Sequence, residues 1–235
     1  VSQPQIDLAL WLTAHYWTPL GAVLNKMLTK SIVDSPPAEE STAKLVENEQ
    51  TLILVPRLAH IQSILDNLKM ERPEHIATIH RQLTEKRRLA EWSKIRSGQA
   101  KFIIGTSVAI FSPFANLKQI IVEEGESSHH KSTQHHPRLD ARLAAVKLAQ
   151  ITGASATIKA RFPTTALAEI VGRHPQIVNL QITPFETNEH LSMTLVDMNQ
   201  EFKKGNFSIF SRLTRETIKK YLAQKQSIIL FNNRR

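Results

Sequence analysis

Short apolar runs alternate with segments of helical periodicity from Thr51 onward, and this alternation restricts the fold more than any other feature of the sequence. A short continuous apolar run is typical of a strand buried on both faces, and a helix between two such strands allows them to run parallel. We therefore predict an α/β fold in which helices flank a parallel sheet. The predicted strands are 51–55, 102–105, 119–122, 154–158, 177–182, 193–196 and 227–231, and the predicted helices are 58–69, 84–97, 138–151, 164–172 and 209–224.

The residues before Thr51 divide into a helical opening and a polar linker. Apolar residues recur at helical spacing from Ile6, and Pro19 with Gly21 resets the backbone before a second short helix. Four aromatic residues at helical positions are expected in the core rather than on a base-stacking surface: Trp11, Tyr16, Trp17 and Trp92. The predicted organisation is a helical segment 1–29, a linker 30–50, a sheet domain 51–185 and the start of a second lobe at 186–235.

The composition is that of an ordinary globular protein with an excess of positive charge. Of the 235 residues, 41% are hydrophobic and 22% are charged, and no apolar run is long enough to span a membrane. The absence of cysteine excludes disulfides and thiolate metal sites, and without a recognisable leader we expect a cytoplasmic protein. The net charge of +9 favours a polyanionic partner such as nucleic acid, although a merely soluble basic protein would have the same composition.

Several segments carry a resemblance to a known family. Leu54-Val55-Pro56 and the stretches 92–100 and 104–117 are similar, in the same order, to the first motor lobe of the PriA family of primosomal replication-restart helicases. The stretches 196–206 and 229–235 resemble the start of that family's second lobe, and 16–21 resembles the end of its N-terminal DNA-binding domain. The resemblance implies a RecA-like lobe of a P-loop NTPase-type helicase, with ATP and magnesium as ligands. It also implies a role in DNA replication restart and primosome assembly, with single-stranded or forked DNA and other replication proteins as partners.

The chain differs from this family in the motifs that bind the nucleotide and magnesium. A phosphate-binding loop needs glycines followed by Lys and Ser or Thr, yet no glycine occurs between Gly21 and Gly98. The family's Asp-Glu-Glu-His box aligns with residues 123–126, which read Glu-Glu-Gly-Glu, and its Gly-Ser-Ala-Thr-Pro motif aligns with residues 159–163, which read Lys-Ala-Arg-Phe-Pro. We therefore predict a lobe without ATPase activity, catalytic residues, metal or cofactor, in which Glu123 and Glu124 are the remnant of a nucleotide and magnesium site. Solvated carboxylates at a strand end are the plainer alternative.

The resemblance and the positive charge together predict a DNA-binding surface. Arg57 follows the first strand, where such motors grip the phosphate backbone, and the helix 84–97 carries cations at near-helical spacing. A solvated helix face, or hydroxyl groups that merely cap a helical turn, would leave the same pattern. The candidate DNA contacts are Arg57, Arg87, Arg88, Lys94, Arg96, Thr106, Ser107, Lys131, Arg138 and Arg142.

Four histidines that precede the helix 138–151 allow a different hypothesis, because imidazoles could ligate a metal ion that activates water. They are His129, His130, His135 and His136. Adjacent loop histidines seldom converge on one ion, so we expect no metal. The resemblance instead places these histidines in a loop that contacts single-stranded DNA, in which His130 and Leu139 replace stacking tyrosines. Two alternatives to a non-catalytic DNA-binding protein remain: an active ATP-dependent DNA helicase whose P-loop is missing from this chain, and a metal-dependent hydrolase built on the histidine loop.

Overall fold

The computed structural model describes residues 2–27, 48–68, 71–132, 138–184 and 194–231. The chain divides into two compact units, Val1–Phe185 and Glu186–Arg235. Most of the predicted linker 30–50 lies outside the described residues. Among the helices described here, none is long and apolar enough to cross a membrane.

The first unit is built on a six-stranded parallel sheet with the order β2-β3-β1-β4-β5-β6. The strands are β1 Gln50–Leu54, β2 Ile76–Ile79, β3 Phe102–Gly105, β4 Leu117–Val122, β5 Ser155–Ala160 and β6 Val178–Ile182. Every neighbouring pair is parallel, so each connection must cross from one end of the sheet to the other. The predicted α/β class with a parallel sheet is confirmed.

Helices form most of these crossovers, and polar side chains fix where several of them begin. The helices of the first unit are α1 Gln3–Tyr16, α2 Leu20–Met27, α3 Ala59–Asn67, α4 Glu85–Arg96, α5 Ala141–Thr152 and α6 Thr165–Arg173. The side chains of Thr84, Asp140 and Thr164 each accept a hydrogen bond from a backbone N–H in the first turn of α4, α5 and α6. Such caps satisfy N–H groups that have no partner within the helix.

The strand β1 shows why the sheet is covered on both faces. Its side chains alternate, so Leu52 and Leu54 join the larger core cluster with α1 and α5, while Ile53 packs on the opposite side with Ile61 of α3. This two-sided burial explains the continuous apolar run in the sequence. The helices α1 and α2 also pack against each other, and α1 contacts α5, so the helical opening is part of the first unit's core.

Three predictions about strands were wrong. The strand β2 was not predicted because it is a four-residue edge strand that pairs only with β3. Residues 227–231 are not a strand, and neither are residues 194–196, whereas Met193 lies outside the described residues. A strand requires a hydrogen-bonded neighbour, and the described part of the second unit contains no strand that could pair with these runs.

The prediction that Trp17 lies in the core was also wrong. Trp92 is buried, and Trp11 and Tyr16 pack against the core cluster, but Trp17 is 94% exposed. The helix α1 ends at Tyr16, and Trp17 adopts a left-handed backbone conformation with φ of 48°. This turn breaks the helical periodicity on which the prediction rested.

The second unit is organised around one buried amide. It contains the helices α7 Met198–Lys203, which was not predicted, and α8 Arg212–Ala223. The Asn206 side chain donates to Glu201 Oε2 at 2.7 Å and to the Phe210 carbonyl at 3.0 Å. The Arg212 N–H also donates to Glu201 Oε2, and these hydrogen bonds lower the pKa of Glu201. Many apolar side chains of this unit are exposed, so polar contacts hold the segment between its two helices.

Candidate nucleic-acid interface

The carboxyl ends of the parallel strands meet at one edge of the sheet, which we call the carboxyl edge. Arg57 follows β1, Thr106 and Ser107 follow β3, and Glu123 and Glu124 follow β4. The chain leaves β1 towards β2 and β3 on one side, whereas β4 continues to β5 and β6 on the other. Such a reversal opens a crevice at the carboxyl edge of an open α/β sheet, where ligands bind.

An open cleft of about 510 Å³ lies at this edge. It is lined by the ends of β1, β4, β5 and β6 and by one face of α3. Its charged lining contains both signs, from Glu123, Glu124, Lys159 and Arg161. The cleft is therefore neither an anion-binding nor a cation-binding pocket as a whole.

The leading carboxylate of the altered acidic box is paired with a lysine of the next strand. The β4–β5 register sets Val122 beside Ile158, so Glu123 follows on β4 directly opposite Lys159. Lys159 Nζ donates to Glu123 Oε1 at 2.8 Å, with side-chain exposures of 40% and 23%. A pair this exposed adds little to stability, but it places a positive charge where a metal-binding carboxylate would need to be free.

The second carboxylate, Glu124, faces a histidine. His60 Nδ1 lies 3.1 Å from Glu124 Oε1, a distance typical of an ion pair, although the two atoms lack the alignment of a hydrogen bond. The two side chains are therefore in close contact without forming a hydrogen bond. In the described ranges, no group of three or more His, Asp or Glu side chains could hold a metal ion.

The turn that carries these carboxylates is tight and strained. Glu124 has a φ of 48°, in the left-handed region, which costs a non-glycine residue about 1–2 kcal/mol. The next residue must be glycine, because a Cβ on Gly125 would lie 2.3 Å from Ile158 Cγ2. Gly125 N–H also donates to the Lys159 carbonyl at 2.7 Å, so the turn is pressed against β5.

Thr106 and Ser107 lie one strand away from Arg57, and both are half-buried. The Thr106 N–H donates to the Ile79 carbonyl at 3.2 Å. The Thr106 carbonyl accepts from the Ala109 N–H, and this hydrogen bond closes the first turn of the short helix Ser107–Phe111. A Cβ on Gly105 would meet the Ile79 carbonyl oxygen at 2.1 Å, so only glycine fits this close approach of β3 to β2. The structure therefore gives these residues a local structural role as well as a position at the carboxyl edge.

Two residues of the segment that the resemblance assigned to a DNA-contacting loop, His130 and the candidate DNA contact Arg142, are buried. His130 is buried, and its Nε2–H donates to the Glu123 carbonyl at 2.8 Å; burial lowers the pKa of its imidazole. Arg142 is also buried, and its guanidinium donates to both carboxylate oxygens of Asp140, at 2.9 and 2.7 Å, and to the Gly125 carbonyl at 2.8 Å. Neither side chain is available to DNA, because each holds the turn after β4 in place. Leu139 belongs to the core cluster and cannot stack on a base.

Three cations around the same turn are exposed. Lys131 forms an antiparallel bridge with Asp140, which closes the base of a loop, and Arg138 lies on the opposite side of that base. Arg57 extends from β1 to the same turn, with Nη2 3.4 Å from His129 Nδ1. His135 and His136 lie outside the described residues. The structure thus places Arg57 against the turn that leads to Lys131, and Arg138 next to the residues that pair with Lys131 and Ser132.

The basic helix α4 does not run along this edge. It starts at the carboxyl edge after β2 and returns to the opposite edge, where the Ile95 carbonyl accepts from the Gln50 side chain at the start of β1. Arg87 and Arg88 therefore lie near the carboxyl edge, whereas Lys94 and Arg96 lie about 10 Å away along the helix. Lys94 is also paired with Glu91 at 2.9 Å. The predicted row of cations crosses the sheet instead of following one edge.

Sequence reasoning did not find the residues that partner the acidic box. His60 lies in the first turn of α3, the helix that follows β1. The only sequence signal for it was its position after Val55-Pro56. Lys159 was noted as a departure from a motif, but its pairing with Glu123 depends on β4 and β5 being neighbours.

An open parallel sheet with polar groups at its carboxyl edge defines an α/β protein of the doubly wound type. No protein-family profile matches the sequence. Among solved structures, the C-terminal domain of S. cerevisiae Dbp5, bound to Gle1 and IP6, matches 59% of this chain and 76% of that chain with a TM-score of 0.41 and 12% identity. That likeness is too low to carry an argument.

Curated relatives define the chain more closely. It is 31% identical over 196 residues to the replication restart protein PriA of Synechocystis sp., and 27% identical over 193 residues to that of Bacillus subtilis. The PriA of Haemophilus influenzae is 30% identical over 194 residues. These alignments cover 81–82% of this chain but only 24–26% of each relative, so the chain spans about a quarter of their length. The chain is a relative of the PriA family of replication restart proteins, as the sequence motifs predicted.

Proposed function

We propose that the chain is a DNA-binding protein of replication restart and primosome assembly, derived from an ATP-dependent DNA helicase, and that it does not itself hydrolyse ATP. We further propose that it acts in the cytoplasm, on single-stranded or forked DNA, together with other replication proteins. The sequence similarity of the chain to PriA proteins supports the proposed role in replication restart. The Lys159–Glu123 pair is the observation that carries the non-catalytic part of the proposal.

The carboxyl edge does not fit a magnesium ion. Magnesium requires carboxylate oxygens in near-octahedral geometry, with water and phosphate oxygens completing the shell. In this chain Glu123 is neutralised by Lys159, and Glu124 lies against His60. Binding a metal here would require both contacts to break, and no glycine-rich loop precedes β1 in the sequence to hold the phosphates of a nucleotide. We therefore assign no step of the function to ATP.

The exposed cations of the carboxyl edge support DNA binding. Arg57 contacts His129, Lys131 pairs with Asp140, and Arg138 lies two residues before Asp140. Arg87, which is exposed, and Arg88, which is half-buried, lie at the start of α4 on the same edge. Phosphate contacts of this kind provide affinity and position without reading base sequence. The half-buried Thr106 and Ser107 can add neutral hydrogen bonds between these groups. We leave Arg142 out of this surface because it is buried.

Salt-dependent binding to single-stranded DNA tests this proposal. The substitutions Arg57→Ala, Lys131→Ala and Arg138→Ala together should weaken binding and reduce the slope of log K against log salt by about one unit for each phosphate contact. The matched control carries Arg96→Ala, Lys101→Ala and Lys118→Ala, which remove the same charge from the opposite edge of the sheet. Equal slopes for the two triple variants would mean that net charge, and not the carboxyl edge, determines binding.

A further inference from the structure

Trp17 is almost fully exposed, yet its backbone is held firmly on both sides. Its side chain projects between two anchored neighbours and is 94% exposed. On one side, the Tyr16 hydroxyl accepts a hydrogen bond from the Asp140 N–H at 2.9 Å. On the other, Thr18 is buried and its Oγ1 donates to the Tyr16 carbonyl at 3.1 Å. The indole is therefore presented by a fixed backbone.

Stability does not explain a tryptophan at this position. Trp17 has φ of 48° and ψ of 42°, a left-handed conformation that bulky residues rarely adopt and that glycine or asparagine would adopt more easily. The Trp17 side chain gains almost no burial to offset this conformation. Strained residues that contribute nothing to packing are found at binding sites, where the neighbouring structure holds them in place.

Tyr16, the neighbour of Trp17, contacts a segment that carries two exposed cations. Asp140, which contacts Tyr16, forms the antiparallel bridge with Lys131, and the Ser132 N–H donates to the Leu139 carbonyl at 2.8 Å beside it. Lys131 and Arg138 are exposed at this loop base. The Asp140 carboxylate, the acidic group at this base, is neutralised by the Arg142 guanidinium at 2.7 Å. The residue next to Trp17, Tyr16, thus contacts the segment that carries these two cations.

We propose that Trp17 is a base-stacking platform for single-stranded DNA, with Lys131 and Arg138 contacting the phosphates next to the stacked base. This inference rests on the DNA-binding function proposed above and assigns to it a residue of the helical opening. Stacking platforms combined with cations are typical of proteins that bind single strands, because every base offers a flat face. Stacking tolerates any sequence, which agrees with a surface that reads phosphates and not base edges.

Two substitutions at Trp17 test the platform against a thymidine oligonucleotide about 16 nucleotides long. Trp17→Ala should weaken binding by about five- to 150-fold, the range expected for one stacked base. The slope of log K against log salt should not change, because stacking releases no counterions from DNA. Trp17→Phe should retain more of the affinity, since a phenyl ring also stacks. Leu10→Ala is the matched control, because Leu10 is an exposed apolar residue of the preceding helix α1 that cannot stack, and this variant should bind as the parent does.

Tryptophan fluorescence gives a second, independent measurement. The oligonucleotide should quench the emission of the parent, and the quenching should disappear in Trp17→Phe, although Trp11 and Trp92 remain. If the parent binds but Trp17→Ala binds equally well and no quenching occurs, the platform is refuted while the DNA-binding function stands. If the parent does not bind the oligonucleotide even at low salt, the platform and the proposed function both fail.

Discussion

Acid should destabilise this protein through His130, and the substitution His130→Gln should remove that effect. The imidazole is buried, which disfavours its charged form, whereas the hydrogen bond that Nε2 donates to the Glu123 carbonyl acts on the pKa in the opposite direction. Burial is the main cause of its lowered pKa, and the nearby Arg142 guanidinium lowers it further. A glutamine amide can donate the same hydrogen bond but does not titrate.

The direction and size of the effect follow from proton linkage. The unfolded chain binds a proton at His130 below its ordinary pKa of 6.5, while the folded chain does not until a lower pH is reached. Stability is therefore fully present above that ordinary pKa and falls as the pH decreases below it. One such proton changes the free energy of unfolding by about 1.4 kcal/mol per pH unit at most. His80 also has a pKa lowered by burial and by Arg88, so the His130→Gln variant should keep the part of the pH dependence that comes from His80.

Urea unfolding at about pH 7.5, 6.5 and 5.5 measures this difference. Over this range the free energy of unfolding should fall more for the parent than for His130→Gln. Below pH 6.5 the difference in slope should approach that of one proton, about 1.4 kcal/mol per pH unit. Ser128→Ala, in the same turn but without a titrating group, should follow the parent. Parallel stability curves for the parent and His130→Gln would show that His130 accepts a proton in the folded state, and the account of the turn would be wrong.

Two further predictions concern the same turn. Gly125→Ala should lower the free energy of unfolding by about 1–3 kcal/mol in urea titrations, because the new methyl group would overlap Ile158, which is fully buried. Gly172→Ala, in a helix with open space around it, should be neutral or stabilising, and equal losses in both variants would contradict the packing argument. Elemental analysis of the purified, untagged chain should find no stoichiometric zinc, because the Nε2 of His130 is committed to the Glu123 carbonyl. A tightly bound zinc ion lost on His129→Ala would overturn that prediction.

The central strands were predictable because the sheet buries them on both faces. The strands β1 and β3 contain continuous apolar runs, which is what two-sided burial requires, whereas β4 contributes only the apolar residues 120–122 at its end. The edge strand β2 has one neighbour and only four residues, so its apolar signal was too short to separate from a loop. The runs 194–196 and 227–231 are apolar enough for strands, but apolar character alone does not supply a hydrogen-bonding partner.

The position of the site was predictable, but its contacts were not. Parallel strands place the residues that follow them at one edge, so Arg57 and Glu123 could be assigned to the same region from sequence. The pair formed by Lys159 and Glu123 depends on strand order, which the sequence does not specify. Likewise, Arg142 resembles an exposed contact in the sequence, and only the structure shows that its guanidinium is buried on Asp140.

The central claim is that this lobe binds DNA without using ATP, and one titration tests it most directly. Single-stranded DNA is titrated into the chain with and without ATP and magnesium, while hydrolysis is followed in the same samples. We predict the same DNA affinity in both conditions and no hydrolysis above that of the buffer, because Lys159 and His60 occupy the carboxylates that a metal would need. DNA-stimulated hydrolysis that disappears in the Glu123→Gln, Glu124→Gln double variant would contradict the account.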